Sequence, residues 1–305
     1  MKSQQFYSNG KLLLTAEYLV LDGAKALAIP TKFGQFLNIK PIDEQLISWK
    51  SYDYEGSVWF EHRFTVEEIL TQNTLENNPI YTALIEILYE TNQLNPLFLK
   101  GSTGFEVETR LTFSRHWGLG TSSTLISNIA QWQGINPYKL LEKTFGGSGY
   151  DVACATHPSA LYYQLENGLP TVEPTIFNPK FKENIYFLYL NQKQSSKVAI
   201  LNYFSKCNDV KTEIKKINTI TNQLVSIDNL EKFSLLMQNH EAIMSTILET
   251  ETLQEKLFSD FNGTIKSLGA WGGDFAMIIS KNNPKKYFEE RGFLTLLSFD
   301  EMVLL

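Results

Sequence analysis

The stretch Gly118-Leu119-Gly120-Thr121-Ser122-Ser123 has the residue types and spacing of an anion site: two glycines one residue apart, then three hydroxyls. Apolar residues recur three to four apart through Thr124-Leu125-Ile126-Ser127-Asn128-Ile129-Ala130, which predicts a helix. The first N–H groups of a helix have no partner within it, and glycines ahead of them let phosphate oxygens approach the main chain. The segment therefore predicts phosphate binding, with an ordinary N-cap by Thr121 or Ser122 as the alternative. It matches neither common phosphate motif. No lysine follows the second glycine, as a P-loop requires, and the third glycine of the dinucleotide fingerprint is missing.

Strand signals dominate the chain from Phe6 to Phe113. Leu12-Leu13-Leu14 continues into Tyr18-Leu19-Val20-Leu21, and Asp22-Gly23 predicts a turn before Ala26-Leu27-Ala28-Ile29. Residues 33–42, 46–52 and 58–60 read as further strands, and 105–113 alternates as a half-buried strand does. Thr65-Val66-Glu67-Glu68 is a capping box, while Asn78-Pro79 and Asn136-Pro137 each place a cap before a proline at the first helical position. Two consecutive helices are thus expected between Ser122 and Phe145. Strands follow at 160–163 and 185–190, with a proline-containing loop over 170–179 between them. A helical pattern runs from Ser195 to Ser267 with breaks near Asn208 and Asp228. A strand at 275–279, a short helix at 284–290 and two apolar runs complete the chain. Strands, then helices, then strands predict the α+β class, with domains over 1–170 and 171–305.

At 305 residues and 43% hydrophobic, the chain can bury a substantial core. A net charge of −6 argues against a general polyanion surface, so nucleic acid is not an expected partner. No uninterrupted apolar run is long enough to span a bilayer, and Met1-Lys2-Ser3-Gln4-Gln5 does not begin a leader. Cys154 and Cys207 have no metal-ligand spacing, which suits a reducing compartment. A cytoplasmic protein without membrane attachment is expected. His62, His116, His157 and His240 also lack ligand spacing and read as structural or surface residues.

Two further segments stand out: Gly10-Lys11-Leu12-Leu13-Leu14-Thr15-Ala16-Glu17-Tyr18 near the start, and Leu268-Gly269-Ala270-Trp271-Gly272-Gly273-Asp274, with a helix expected before it and a strand after. With the glycine-rich stretch between them, they resemble in order the three signature motifs of the GHMP kinases, and the resemblance spans the whole chain. The family's middle motif, Gly-Leu-Gly-Ser-Ser-Ala-Ala, is similar to residues 118–124. Its third, Gly-Ala-Gly-Gly-Gly-Asp, is similar to residues 269–274, where Trp271 replaces a glycine and would crowd the turn. A fourth stretch, Gly147-Ser148-Gly149-Tyr150-Asp151-Val152, resembles the Gly-Ser-Gly-Phe-Asp-Val of the phosphomevalonate branch and, more loosely, the Ser-Gly-Val-Asp of the mevalonate branch. Ala16-Glu17-Tyr18 points to the same branch, which carries Gly-Glu-Tyr where several other members have Glu-His.

The resemblance implies a two-domain α+β GHMP kinase fold, with an N-terminal ribosomal-protein-like ATP-binding domain and a C-terminal ferredoxin-like domain. ATP and Mg²⁺ would be the cofactors. Gly118, Leu119, Gly120, Thr121, Ser122 and Ser123 would hold phosphates, and Ser122 would reach the metal with Glu142 as the carboxylate candidate. Asp151 corresponds to the catalytic base and Lys11 to the lysine beside it, with Glu17 bracing Lys11. Glu17, Ser148, Gly149, Ala270, Gly272, Gly273 and Asp274 would border the acceptor. A carboxylate beside an acceptor hydroxyl can take its proton, and a lysine can stabilise the charge that develops. A phosphorylated acceptor needs a weaker base, so Asp151 would then chiefly orient Lys11 and the metal. The implied partner is a small-molecule acceptor, phosphomevalonate or alternatively mevalonate, and a homodimer is compatible with the sequence. Lys32, Arg110, Arg115, Lys193 and Lys197 are available for an anionic acceptor, with Ser195-Ser196-Lys197 resembling the start of a substrate-side helix. Two other readings share the fold: a protein that binds nucleotide or metabolite without catalysis, and a diphosphomevalonate decarboxylase.

Overall fold

The computed structural model describes residues 2–72, 78–100, 104–193, 196–206, 209–271 and 273–305, with Ser196 and Lys197 described in backbone only. The chain divides into two compact units that are each discontinuous in sequence. The first comprises residues 1–10, 33–115 and 119–156, and the second 11–32, 116–118 and 157–305. This differs from a single boundary at 170/171, because the first signature motif belongs with the C-terminal unit. A linear reading of composition cannot detect such interleaving, since no linker-like stretch marks it.

The first unit is a mixed sheet covered by helices. β1 (Gln4–Leu13) pairs with β2 (Ala26–Ile42), and each runs on into the second unit. β3 (Leu46–Tyr52) and β4 (Val58–Thr65) form an antiparallel pair. Helices α1 (Val66–Thr71) and α2 (Pro79–Leu94) follow, then β5 (Gly104–Leu111), which lies parallel to β3 and antiparallel to residues 35–42 of β2. In β5 the side chains of Phe105, Val107, Thr109 and Leu111 are buried in alternation, as the sequence pattern requires. α3 (Thr121–Gln133), α4 (Pro137–Lys143) and α5 (Tyr150–Thr156) complete the unit. The core joins Leu37, Trp49 and Phe64 of the sheet to Leu88, Ile126, Leu140 and Val152 of the helices. The expected caps are present: Thr65 and Glu68 cap each other reciprocally, and Asn78 and Asn136 accept from the N–H groups that follow their prolines. Each such cap is worth about 1 kcal/mol.

In the second unit, residues 26–28 of β2 pair with β6 (Leu161–Glu166), which pairs with the edge strand β7 (Leu169–Pro174). β8 (Ile185–Tyr189) is followed by α6 (Ser196–Lys206), α7 (Lys211–Leu224), α8 (Leu230–Leu248) and α9 (Leu253–Leu257). Then come β9 (Thr264–Ser267), β10 (Phe275–Ile279), α10 (Lys285–Glu289), β11 (Leu296–Ser298) and α11 (Phe299–Met302). An antiparallel sheet in the order β11-β8-β10-β9 packs Leu188, Ile265, Ala276 and Ile278 against Leu253, Phe258 and Phe288.

The α+β class holds, and three local expectations do not. Tyr18 to Leu21 is not a strand: Ala16 and Tyr18 sit at φ 65° and 62°, and Leu19–Asp22 form a 3-10 turn closed by Gly23 at φ 85°. The apolar run is buried throughout, so its pattern carries no period that separates strand from turn. Residues 169–174 form a strand and not a loop, because prolines are tolerated at a sheet edge. The third motif follows strand β9 and not a helix. Lys266 disguised that strand as a solvated segment, although all four of its residues are buried. Asp151 lies in the first turn of α5.

Candidate functional site

Within the second unit, three stretches far apart in sequence meet at Gly118. Lys11 Nζ donates to the Gly118 carbonyl at 3.2 Å. Gly118 has φ 65°, and a Cβ placed on it would lie 2.2 Å from the Asp274 carboxyl carbon. Only glycine allows that approach with that backbone. Residues 116–118 are held by Trp117, whose ring meets Phe275 edge-on at 5.5 Å and Tyr189 at 6.3 Å, and by the Tyr189 hydroxyl, which donates to the His116 carbonyl. Burial pushes the Tyr189 hydroxyl up from its ordinary pKa, and the Asp274 charge adds to the rise.

Residues 268–274 connect antiparallel β9 and β10, closed by a bond from Leu268 N–H to the Phe275 carbonyl. Asp274, at φ 57°, donates its N–H to the Gln192 carbonyl and accepts from Leu190 N–H. Trp271 does not break this loop. Its backbone N–H donates to the Tyr18 hydroxyl at 3.2 Å, a direct link between the first and third motifs. Tyr18 in turn stacks on Tyr203 of α6 with centroids 5.5 Å apart. Ala270 and Gly273 are buried.

Glu17 does not brace Lys11. It is 1% exposed, and its Oε1 makes a short bond to Nζ of the fully buried Lys266. Lys266 Nζ also donates to the Ser267 carbonyl, and Glu241 Oε1 accepts from Ser267 N–H and Oγ. His240 Nε2 lies 3.5 Å from Glu17 Oε2 but accepts the Ala16 N–H at 2.9 Å, so this ring is neutral with its proton on Nδ1. Burial, reinforced by the Lys266 charge, holds the His240 pKa well below its ordinary value. Burial also pushes the Glu17 carboxyl up, against the opposing pull of Lys266. Glu17 is therefore a buried carboxyl held among Lys266 and His240 and does not present a carboxylate to solvent. Sequence reasoning missed Lys266 and Glu241, because a lysine and a glutamate read as solvated by default.

In the first unit, α3 begins at Thr121 with Gly120 as its N-cap residue at φ 94° and no side-chain cap. Neither Thr121 nor Ser122 plays the capping role, so the helix start offers main-chain donors as a phosphate cradle does. Ser122 is exposed, whereas Ser123 is buried with its Oγ donating to the Gly120 carbonyl, and the Leu119 side chain is fully buried. Leu119 and Ser123 can therefore contribute backbone alone. A buried polar network fixes the helix behind: Thr124 Oγ1 donates to Gln35 Oε1, Asn128 Nδ2 to the Gln35 carbonyl, and Ser8 Oγ to Asn128 Oδ1.

Gly146, Gly147 and Gly149 all have positive φ and bring the chain into α5, where Gly149 O accepts from Ala153 N–H. Asp151 is half-buried, and one of its oxygens accepts from Val152 N–H at 3.0 Å. Tyr138 of α4 is close enough to feel Asp151. Its hydroxyl is pushed up to about 12 by burial first, then by Cys154 and Asp151. Glu142 on α4 is exposed. Arg110 and Arg115 stand over the Tyr52 and Trp59 rings, and in the second unit Lys32 bonds the Asp300 carbonyl. Gly272, Ser195, Cys207, Asn208 and the Lys197 side chain lie outside the described residues. Among the described residues there is no cluster of three or more His, Cys, Asp or Glu able to hold a metal, and no helix long and apolar enough to cross a membrane.

No protein-family model matches this chain, and a search of curated proteins finds no match. Solved structures do resemble it. The mevalonate kinase of Methanococcus jannaschii superposes with a TM-score of 0.71 at 16% identity, over 100% of this chain and 99% of that one. The Streptococcus pneumoniae phosphomevalonate kinase, in complex with phosphomevalonate and AMPPNP, gives 0.69 at 17% over 97% and 99%. The Lactococcus lactis galactokinase, complexed with galactose, gives 0.68 at 12% over 100% and 95%.

Proposed function

We propose that this chain, which has the two-domain GHMP kinase fold, is an ATP-dependent phosphotransferase acting on a small molecule. The observation that carries the reading is the meeting of Lys11, Gly118 and Asp274, one residue from each of three sequence motifs, at the glycine that leads into α3. A structural turn has no need of that convergence, whereas a phosphate site needs a lysine, a glycine turn and a helix start in sequence.

The residues present suit a nucleotide. The α3 start is uncapped, Gly120 is its N-cap residue, and the Ser122 hydroxyl is exposed. ATP, when bound, supplies the phosphoryl group, and a neighbouring fold relative binds its analogue AMPPNP. The N–H groups of Thr121 and Ser122 would hold phosphate oxygens, and Ser122 and Glu142 would be the protein's candidate ligands for a Mg²⁺ that neutralises phosphate charge. With a phosphorylated acceptor, whose attacking oxygen is already anionic, Asp151 chiefly orients Lys11 and the metal, while an alcohol acceptor would give Asp151 its hydroxyl proton; in both cases Lys11 stabilises negative charge as the bond to phosphorus forms and ADP leaves. Phosphomevalonate is the acceptor we favour, on the likeness of residues 147–152 to that branch, with mevalonate second.

The test is ADP release with ATP, Mg²⁺ and a panel containing phosphomevalonate, mevalonate, galactose and other small hydroxyl compounds. Turnover on phosphomevalonate is expected. Asp151→Asn should lower kcat on an alcohol acceptor by about 10²–10⁴-fold, and on phosphomevalonate by less, while AMPPNP still binds. AMPPNP binding without turnover on any acceptor would favour the non-catalytic reading instead, and CO₂ release from diphosphomevalonate would favour the decarboxylase.

A further inference from the structure

We infer that the buried Glu17–Lys266 ion pair is a positioning element that ties the turn of the first motif to the base of the third-motif loop. One end of the pair lies within the segment it would control, and the other is bonded to its own. Glu17 sits between Ala16 and Tyr18, two residues held at positive φ, and the Ala16 N–H is fixed by His240 Nε2. Lys266 bonds the carbonyl of Ser267, the last residue of β9, and Glu241 takes that serine's N–H and Oγ. The next residue, Leu268, begins the loop that carries Trp271 to the Tyr18 hydroxyl and Asp274 to Gly118.

A buried ion pair of this kind adds little stability over an apolar pair of the same volume, and its best-attested role is to fix one arrangement among several. Four charged or titratable side chains, Glu17, His240, Glu241 and Lys266, converge here, each 3% exposed or less. None of them faces solvent, so substrate contact does not account for them. Their shared feature is that each of the side-chain bonds named above runs to residues 16–17 or 266–267. Lys266 thus acts on the reaction through Asp274 and Gly118, and the catalytic part of this inference rests on the phosphotransferase reading.

The test is the paired substitution Glu17→Gln with Lys266→Met in the full chain. It removes both charges while keeping the shapes, whereas Lys266→Met alone strands a buried carboxylate. Hydrogen exchange is read on peptides covering residues 14–18 and 268–274, and steady-state kinetics alongside. The pair should melt within a few degrees of the parent, exchange at least tenfold faster in those two segments, and lose at least tenfold in kcat with the KM for ATP within threefold. Parental exchange in residues 268–274 would overturn the inference, and so would parental kcat. Where the parent itself shows no turnover, the phosphotransferase reading fails, and the exchange arm still decides this one. If the paired variant does not fold, Glu17→Gln alone is read by the same exchange measurement, with faster exchange at residues 268–274 expected and parental exchange refuting.

Discussion

Replacing Glu241 by glutamine should remove a pH-dependent loss of stability that this one carboxyl imposes. Burial pushes its pKa up to about 7, aided by the Glu17 charge and opposed by Lys266 and the bonds from Ser267. In the unfolded chain the group titrates near its ordinary 4.5. Between those values the folded protein keeps a proton that the unfolded chain has released, so stability falls as pH rises through the window and the loss is complete above about 7. The whole gap corresponds to about 3 kcal/mol, of which about 2.5 kcal/mol is crossed between pH 5 and pH 8. Glutamine keeps an oxygen for Ser267 N–H and Oγ, and its amide takes the place of the protonated Oε2, which has no hydrogen-bond partner among the described residues. The neighbouring charges stay unchanged. Equilibrium urea unfolding of the parent and Glu241→Gln at pH 5, 6, 7 and 8 isolates the effect, because every other group cancels in the difference. The variant should gain on the parent by about 2–3 kcal/mol from pH 5 to pH 8. Parallel curves over that range would show that Glu241 is ionised throughout, and the account of the cluster would fall.

Two further outcomes concern the phosphate side. Gly118→Ala, whose methyl would strike the Asp274 carboxyl from a left-handed backbone, should cost about 1–3 kcal/mol in thermal or urea unfolding and abolish detectable AMPPNP binding by calorimetry. Ser122→Ala should leave stability within about 0.5 kcal/mol, since the side chain is exposed, yet raise the Mg²⁺ needed for half-maximal turnover about tenfold. Unchanged Mg²⁺ dependence in that variant would remove Ser122 from the metal's ligands.

What the sequence revealed depended on whether a residue's environment is local. The caps at Thr65, Asn78 and Asn136 are local hydrogen bonds, and they were legible. So was the alternation of β5, because one face is buried and the other is not. The glycine turn ahead of α3 was legible as a helix start, though its cap residue proved to be Gly120. Lys266 and Glu241 were not, since nothing adjacent in sequence indicates that their partners are Glu17 and Ser267. The same reason hid strand β9, and with it the correct frame of the third motif. The 3-10 turn at Leu19–Asp22 was hidden differently: Ala16 holds a φ that sequence statistics reserve for glycine.

The long reach of the first motif has a consequence for biosynthesis. Thr15, Ala16 and Glu17 leave the ribosome early, yet their partners Thr221, His240 and Lys266 are encoded 206, 224 and 249 residues later. At translation rates of about 5–20 residues per second, the wait is about 10–50 s. During it the apolar run from Leu12 to Leu21 has none of those mates to shelter it, which makes it a natural client for a chaperone. The earliest signature in the message is thus among the last parts of the molecule to take its working shape, and a prematurely terminated product would carry that signature without its geometry.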